Sequence, residues 1–195
     1  MQKRCEGFYK EKGSKFIGIA QRCFTRDEAK DILANWKKEH SQAGHLCYAF
    51  RLGLKGDDFR ANDDGEPANS AGAPILGQLQ SFDLTNCLIG VLRYYGGTKL
   101  GVGGLINAYR TAAKDAINNG NIITEEVYRW VRIEFDYAAM PGVMNLLKRN
   151  QLEMVEKEFE STCMIKTNLP INFADEIVRE LSTAGEVKIE ELGIY

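Results

Sequence analysis

The chain of 195 residues is poor in proline (four), tryptophan (two) and histidine (two). Its five cysteines are scattered, with no Cys-x-x-Cys pair. That leaves neither a disulfide framework nor zinc-ligand spacing. No apolar run approaches the roughly 18–20 residues of a membrane-spanning helix. Met1 to Lys12 is charged and lacks the apolar centre of a secretion signal. The Walker loop Gly-x-x-x-x-Gly-Lys-Ser/Thr is missing, and no Gly-x-Gly-x-x-Gly fits the dinucleotide fingerprint. The net charge of −2 is too small to demand nucleic acid by itself. These absences predict a protein of the reducing cytoplasm, away from membranes, with its cysteines mostly buried as small apolar residues. They predict no cofactor and no metal.

What is present suits a globular protein: 44% hydrophobic and 27% charged residues, enough apolar material for a real core. The charge is uneven. Residues 1–120 carry +4 and residues 121–195 carry −6. Asn118-Asn-Gly-Asn121 is a helix stop and turn. Two domains are therefore expected, 1–121 and 122–195.

In the first, Lys15 to Ala20 predicts a strand. Thr25-Arg-Asp-Glu28 has capping-box form and opens a helix with Ala29, Ile32, Leu33 and Trp36 on one face, ending near His40. Leu46 to Leu52 alternates as a strand. Lys55 to Asn69 is polar, with turn signals at Gly56 and Asp64-Gly65. Pro74 suits a helix first turn, with Ile75, Leu76 and Leu79 inward. Thr85 to Tyr94 predicts a strand, and Leu105 to Ile117 a helix. The second domain reads β-α-β-β-α-β, a ferredoxin-like pattern.

Val91 to Tyr109 is the most unusual stretch. Gly96, Gly97, Gly101, Gly103 and Gly104 put five glycines into nine residues between a strand and a helix. Such a turn brings backbone N–H groups toward an anion, with Arg93 and Lys99 as flanking charges. The plainer reading is a tight crossover that needs positive φ. Asp63, Asp64 and Glu66 place three carboxylates in four positions. They suit Mg²⁺ or acid–base chemistry, a solvated capping turn, or charge pairing that fixes Lys99 or Arg93. His45 and Cys47 share a strand face, where a half-buried histidine beside a core cysteine competes with a nucleophilic pair. Arg93, Lys99, Arg110 and Lys114, with Tyr94, Tyr95 and Phe59 near in sequence, have the basic-plus-aromatic character of single-stranded RNA surfaces. A solvated helix face is the alternative.

Four blocks of residues carry a family resemblance. His45-Leu-Cys-Tyr-Ala49, Asn62-Asp-Asp-Gly-Glu-Pro67, Ser70-Ala-Gly-Ala-Pro74 and Val91-Leu-Arg-Tyr-Tyr-Gly-Gly-Thr-Lys-Leu-Gly-Val-Gly-Gly-Leu105 resemble, in order, the signatures of the IMPACT/YigZ family. The resemblance covers residues 1–120. Residues 122–195 look like the small C-terminal domain of the bacterial members, itself similar to the last domain of elongation factor G. The resemblance implies an α+β fold: a ribosomal protein S5 domain-2-like β/α sandwich followed by a ferredoxin-like βαββαβ domain. It also implies a proposed role in translation regulation or RNA binding rather than catalysis. The extra N-terminal domain of eukaryotic members has no counterpart here, so their kinase-activator partner is not carried over. The sequence departs from the family pattern at Ala68-Asn69, usually a small hydroxyl residue then glycine, and at Ala73, often arginine.

Three functional expectations result. The first is a regulator that binds RNA or the ribosome through Arg93, Lys99, Arg110, Lys114 and the glycine segment. The second is a phosphate- or nucleotide-binding enzyme that uses the glycine loop with Asp63, Asp64 and Glu66. The third is an adaptor with a protein partner.

Overall fold

A computed structural model describes every residue except 160, 161 and 195. The chain folds as two compact units, Met1–Ile123 and Thr124–Tyr195. Residues 121–123 are uncharged, so the units inherit the +4 and −6 of the sequence halves.

The first unit runs β1 (Cys5–Glu11), β2 (Ser14–Arg22), α1 (Arg26–Glu39), β3 (His45–Leu52), β4 (Asp58–Asn62), α2 (Gly72–Ser81), β5 (Cys87–Tyr94) and α3 (Gly101–Asn118). The five strands form one antiparallel sheet in the order β1-β2-β5-β3-β4. Alternation along the strands gives the sheet two apolar faces. Cys47, Ala49, Ile89 and Val91 join α2 and α3 in one core. Leu46, Phe50, Leu88 and Leu92 meet Ala29, Ile32 and Trp36 of α1 in the other. The result is the expected β/α sandwich. At the start of α1, Thr25 Oγ1 accepts a bond from the Glu28 N–H at 3.1 Å, as the capping pattern predicts.

Two strands escaped the sequence reading, each for a physical reason. The middle of β1 is a buried glycine, because α3 lies so close that a Cβ on Gly7 would sit 2.2 Å from the Ala116 nitrogen. The strand is recruited by packing, against a poor intrinsic propensity. The edge strand β4 has no buried residue and so no hydrophobic signal.

The expected loop between β5 and α3 is also shorter than its glycines suggest. The helix begins at Gly101, so Gly103 and Gly104 lie in its first turn.

The second unit runs β6 (Tyr128–Phe135), α4 (Met140–Arg149), β7 (Glu156–Phe159), β8 (Cys163–Pro170), α5 (Ala174–Ser182) and β9 (Val187–Ile194). Its sheet order, β7-β8-β6-β9, is antiparallel throughout and fits the ferredoxin-like pattern. Val131, Ile133 and Phe135 pack with α4 and α5 around Val143, Leu147, Ile177 and Leu181. The turn between β7 and β8 includes residues outside the described set. Among the described residues, no helix is long and apolar enough to cross a membrane.

Candidate nucleic-acid interface

The acidic turn is a built structure, and each of its carboxylates has a different task. Asp64 and Gly65 both have positive φ, 43° and 84°, and the Glu66 N–H returns to the Asp63 carbonyl at 2.9 Å. Asp-Gly is the pair such a reversal favours. Asp63 then faces the start of α2, where its side chain accepts the N–H groups of Asn69, Ala71 and Gly72 at 2.8–2.9 Å. It supplies the cap that Ala71 cannot. Burial works to raise the Asp63 pKa, but the three backbone donors outweigh it and hold the carboxyl below its usual range. Asp64 Oδ2 accepts the Leu46 N–H at 2.7 Å, tying the turn to β3.

Glu66 points inward. Its Oε1 accepts from Arg93 Nη1 at 2.6 Å and from the Tyr109 hydroxyl at 2.8 Å. The side chains of Glu66 and Arg93 are only 4% and 8% exposed. The Arg93 guanidinium lies 5.7 Å from the Phe16 ring centre and 5.4 Å from that of Tyr95. Its Nε is buried and has no hydrogen-bond partner among the described residues. Arg93 therefore does not join a solvent-facing basic patch, and that expectation is corrected. Its strand position turns it toward the α2–α3 side, where a lone cation would be costly and a carboxylate receives it. The expected pairing of the acidic turn is thus with Arg93, not with Lys99.

His45 and Cys47 bind the turn separately. His45 Nδ1 lies 2.7 Å from the Asp64 carbonyl, which can only accept, so Nδ1 carries the proton. Cys47 Sγ donates to the Asp63 carbonyl at 3.0 Å. Burial pushes the Cys47 thiol up to about 12, so it stays protonated near neutrality. A nucleophilic His45–Cys47 pair does not exist. Asp63, Asp64 and Glu66 diverge, and among the described residues no group of three His, Cys, Asp or Glu side chains is placed to hold a metal ion.

The glycine segment follows the end of β5 that carries Arg93. The Gly96 N–H donates to Ser14 Oγ at 3.1 Å, and a Cβ on Gly96 would sit 1.9 Å from the Gly13 carbonyl carbon. Gly97 and Gly101 have positive φ, 85° and 72°. Gly104 packs against Leu100. Gly103 is different: its φ is not positive and a Cβ there would meet nothing within 4 Å. The crossover thus accounts for four of the five glycines but not for Gly103.

Beyond the segment, α3 buries Leu105, Ala108, Tyr109, Ala112, Ala113, Ala116 and Ile117. Its opposite side exposes Gly103, Asn107, Arg110 and Lys114. Their spacing of four, three and four places them in one row, about 16 Å long at helical rise. Lys99, exposed, precedes it. None of Lys99, Arg110 and Lys114 forms an ion pair among the described residues. The first turn of α3 has no acidic residue, and among the described residues no side chain caps its N–H groups or offsets the positive end of its dipole. Chemically, the row suits an extended polyanion.

Two partners of this arrangement were missed in the sequence. Tyr109 appeared only as a core residue. The signal was its hydroxyl, because a buried tyrosine needs a hydrogen-bond partner. Ser14, buried at the start of β2, receives the glycine segment and carries no signal of its own.

The Impact N-terminal domain profile matches residues 12–117. The chain is similar to the IMPACT family member YvyE of Bacillus subtilis, 33% identical over 154 residues that cover 79% of this chain and 71% of that protein. It is similar to the IMPACT family member YigZ of Escherichia coli, 27% identical over 185 residues, with 94% of this chain and 91% of that protein covered. Among solved structures, the crystal structure of a hypothetical protein shares the fold with a TM-score of 0.69 at 24% identity, covering 98% of this chain and 95% of its own. The profile match spans more than half the chain and contains the acidic turn, Arg93, the glycine segment and the row on α3; the chain belongs to the IMPACT family.

Proposed function

We propose that the chain is a translation regulator whose first unit binds RNA or the ribosome through the exposed row of α3. The observation that carries this reading is the row itself. Arg110 and Lys114 stand on the exposed side of α3 and Lys99 just before it, none paired with a carboxylate among the described residues, on a unit with a charge of +4. Phosphate contacts of this kind supply affinity without base readout. The Asp63, Asp64 and Glu66 carboxylates do not oppose them, because each is engaged elsewhere. Their divergence also removes the convergent acidic centre that the enzyme reading requires.

The test is RNA affinity by fluorescence anisotropy across a salt series. Three phosphate contacts give a log–log salt slope of about −2 to −3. Lys99→Glu and Arg110→Glu should each lower affinity and flatten that slope while the fold persists, since both side chains are exposed. Absent or salt-independent binding overturns the reading.

A further inference from the structure

The first unit displays one aromatic ring in an unusual setting, and its neighbours define what it can receive. Tyr95 follows β5 directly and is 58% exposed. The Arg93 guanidinium lies 5.4 Å from the Tyr95 ring centre. Arg93 is itself held by Glu66 at 2.6 Å, and Glu66 by the Tyr109 hydroxyl at 2.8 Å. Tyr109 packs edge-on against Phe16, with ring centres 5.2 Å apart. The backbone just beyond the ring is fixed too, because Gly96 donates to Ser14 and lies against Gly13. Tyr95 therefore stands on a rigid, buried, charged support while its ring faces water.

Its position relates it to the basic row. Four residues later comes Lys99, followed by the first turn of α3 and then Asn107, Arg110 and Lys114. An aromatic platform at the head of a cationic track matches an unpaired nucleobase followed by its phosphates. A base inside a duplex has both faces occupied by its neighbours and cannot use the ring. Preorganisation of the ring lowers the ordering cost of such a contact.

We infer that Tyr95 is a stacking position for an unpaired base, and that the ligand of this surface is single-stranded RNA with its backbone running along Lys99, Arg110 and Lys114. The inference rests on the RNA-binding reading above and adds the strandedness and the contact residue. Arg93 is a positioning residue in this scheme.

The experiment uses the full chain with two fluorescein-labelled probes, a 12-nucleotide oligo(U) and a 12-base-pair RNA duplex, at matched salt. The single strand should bind more tightly than the duplex. Tyr95→Ala should weaken oligo(U) binding at least about fivefold, as loss of one stacked base does. Tyr95→Phe and Tyr95→Trp, which keep a ring, should retain it. Duplex binding should be insensitive to all three. Equal or tighter duplex binding by the unsubstituted chain overturns the inference, and this comparison does not depend on any variant folding. A Tyr95→Ala chain that binds oligo(U) normally while Lys99→Glu weakens it also overturns the stacking role, yet leaves the RNA-binding reading intact. If neither probe binds at any salt concentration, both fall together.

Discussion

Arg93 and Glu66 are 27 residues apart in sequence and 2.6 Å apart in space. The pair closes the acidic turn onto β5, and the Tyr109 hydroxyl on the same carboxylate oxygen adds α3. One buried oxygen thus joins a turn, a strand and a helix. A buried pair of this kind is weak evidence for net stability but strong evidence for dependence, because either partner alone is a stranded charge.

Glu66→Ala should destabilise the first unit by about 3–5 kcal/mol, since it leaves Arg93 buried and unpaired. Tyr109→Phe should cost less, about 1–2 kcal/mol, because Arg93 still satisfies the carboxylate. Urea unfolding in a Trp130→Phe background, with buried Trp36 as the only tryptophan, reports the first unit alone. A Glu66→Ala cost below about 1 kcal/mol would remove the pair from the fold's support.

Asp63 predicts a pH dependence of defined sign. Its folded-state pKa lies below the unfolded value of about 3.9. Its stabilisation is therefore present above roughly pH 4 and is lost as pH falls through the depressed folded value. Urea midpoints measured from pH 7 down to pH 2.5 should converge for the unsubstituted chain and Asp63→Asn at the acid end. A gap that stays constant over the range would show that the carboxylate charge contributes nothing there.

Cys47 should be inert in the folded protein. Its thiol is buried and pushed up to about 12, and Cys87 is buried with its thiol also pushed up to about 12. With Ellman's reagent at pH 8, both should react only after denaturation, while the half-buried Cys5 reacts first. Rapid native-state labelling of Cys47, located by peptide mapping, would contradict its placement against the Asp63 carbonyl.

Gly103→Ala separates stability from binding. No contact and no positive φ demand glycine there, so alanine should stabilise α3 by about 0.5–1 kcal/mol. If RNA backbone approaches the row closely at this point, the same change should lower oligo(U) affinity. A destabilised variant would show that the helix does not begin as described, and a stabilised one with full affinity would remove Gly103 from the interface.

Local pattern made most of the architecture legible. Capping at Thr25, alternation along Leu46–Leu52, and the apolar faces of α1, α2 and α3 are properties of short windows, and the structure keeps them. The second unit's order of strands and helices was likewise readable from periodicity. Strands β1 and β4 were hidden because their pairing depends on neighbours, through a glycine that α3 covers and an edge with no buried residue.

The site divides in the same way. The sequence alone determined that cations, glycines and carboxylates cluster around Val91–Tyr109 and Asp63–Glu66, because composition and spacing are written there. Only the tertiary structure decided their roles. Arg93 and Lys99 are both basic in sequence, yet β5 turns Arg93 inward to Glu66 while Lys99 stands in water before α3. Strand direction and helix packing determine which charge is desolvated. Desolvation in turn decides which charge must find a carboxylate and which stays free for a ligand.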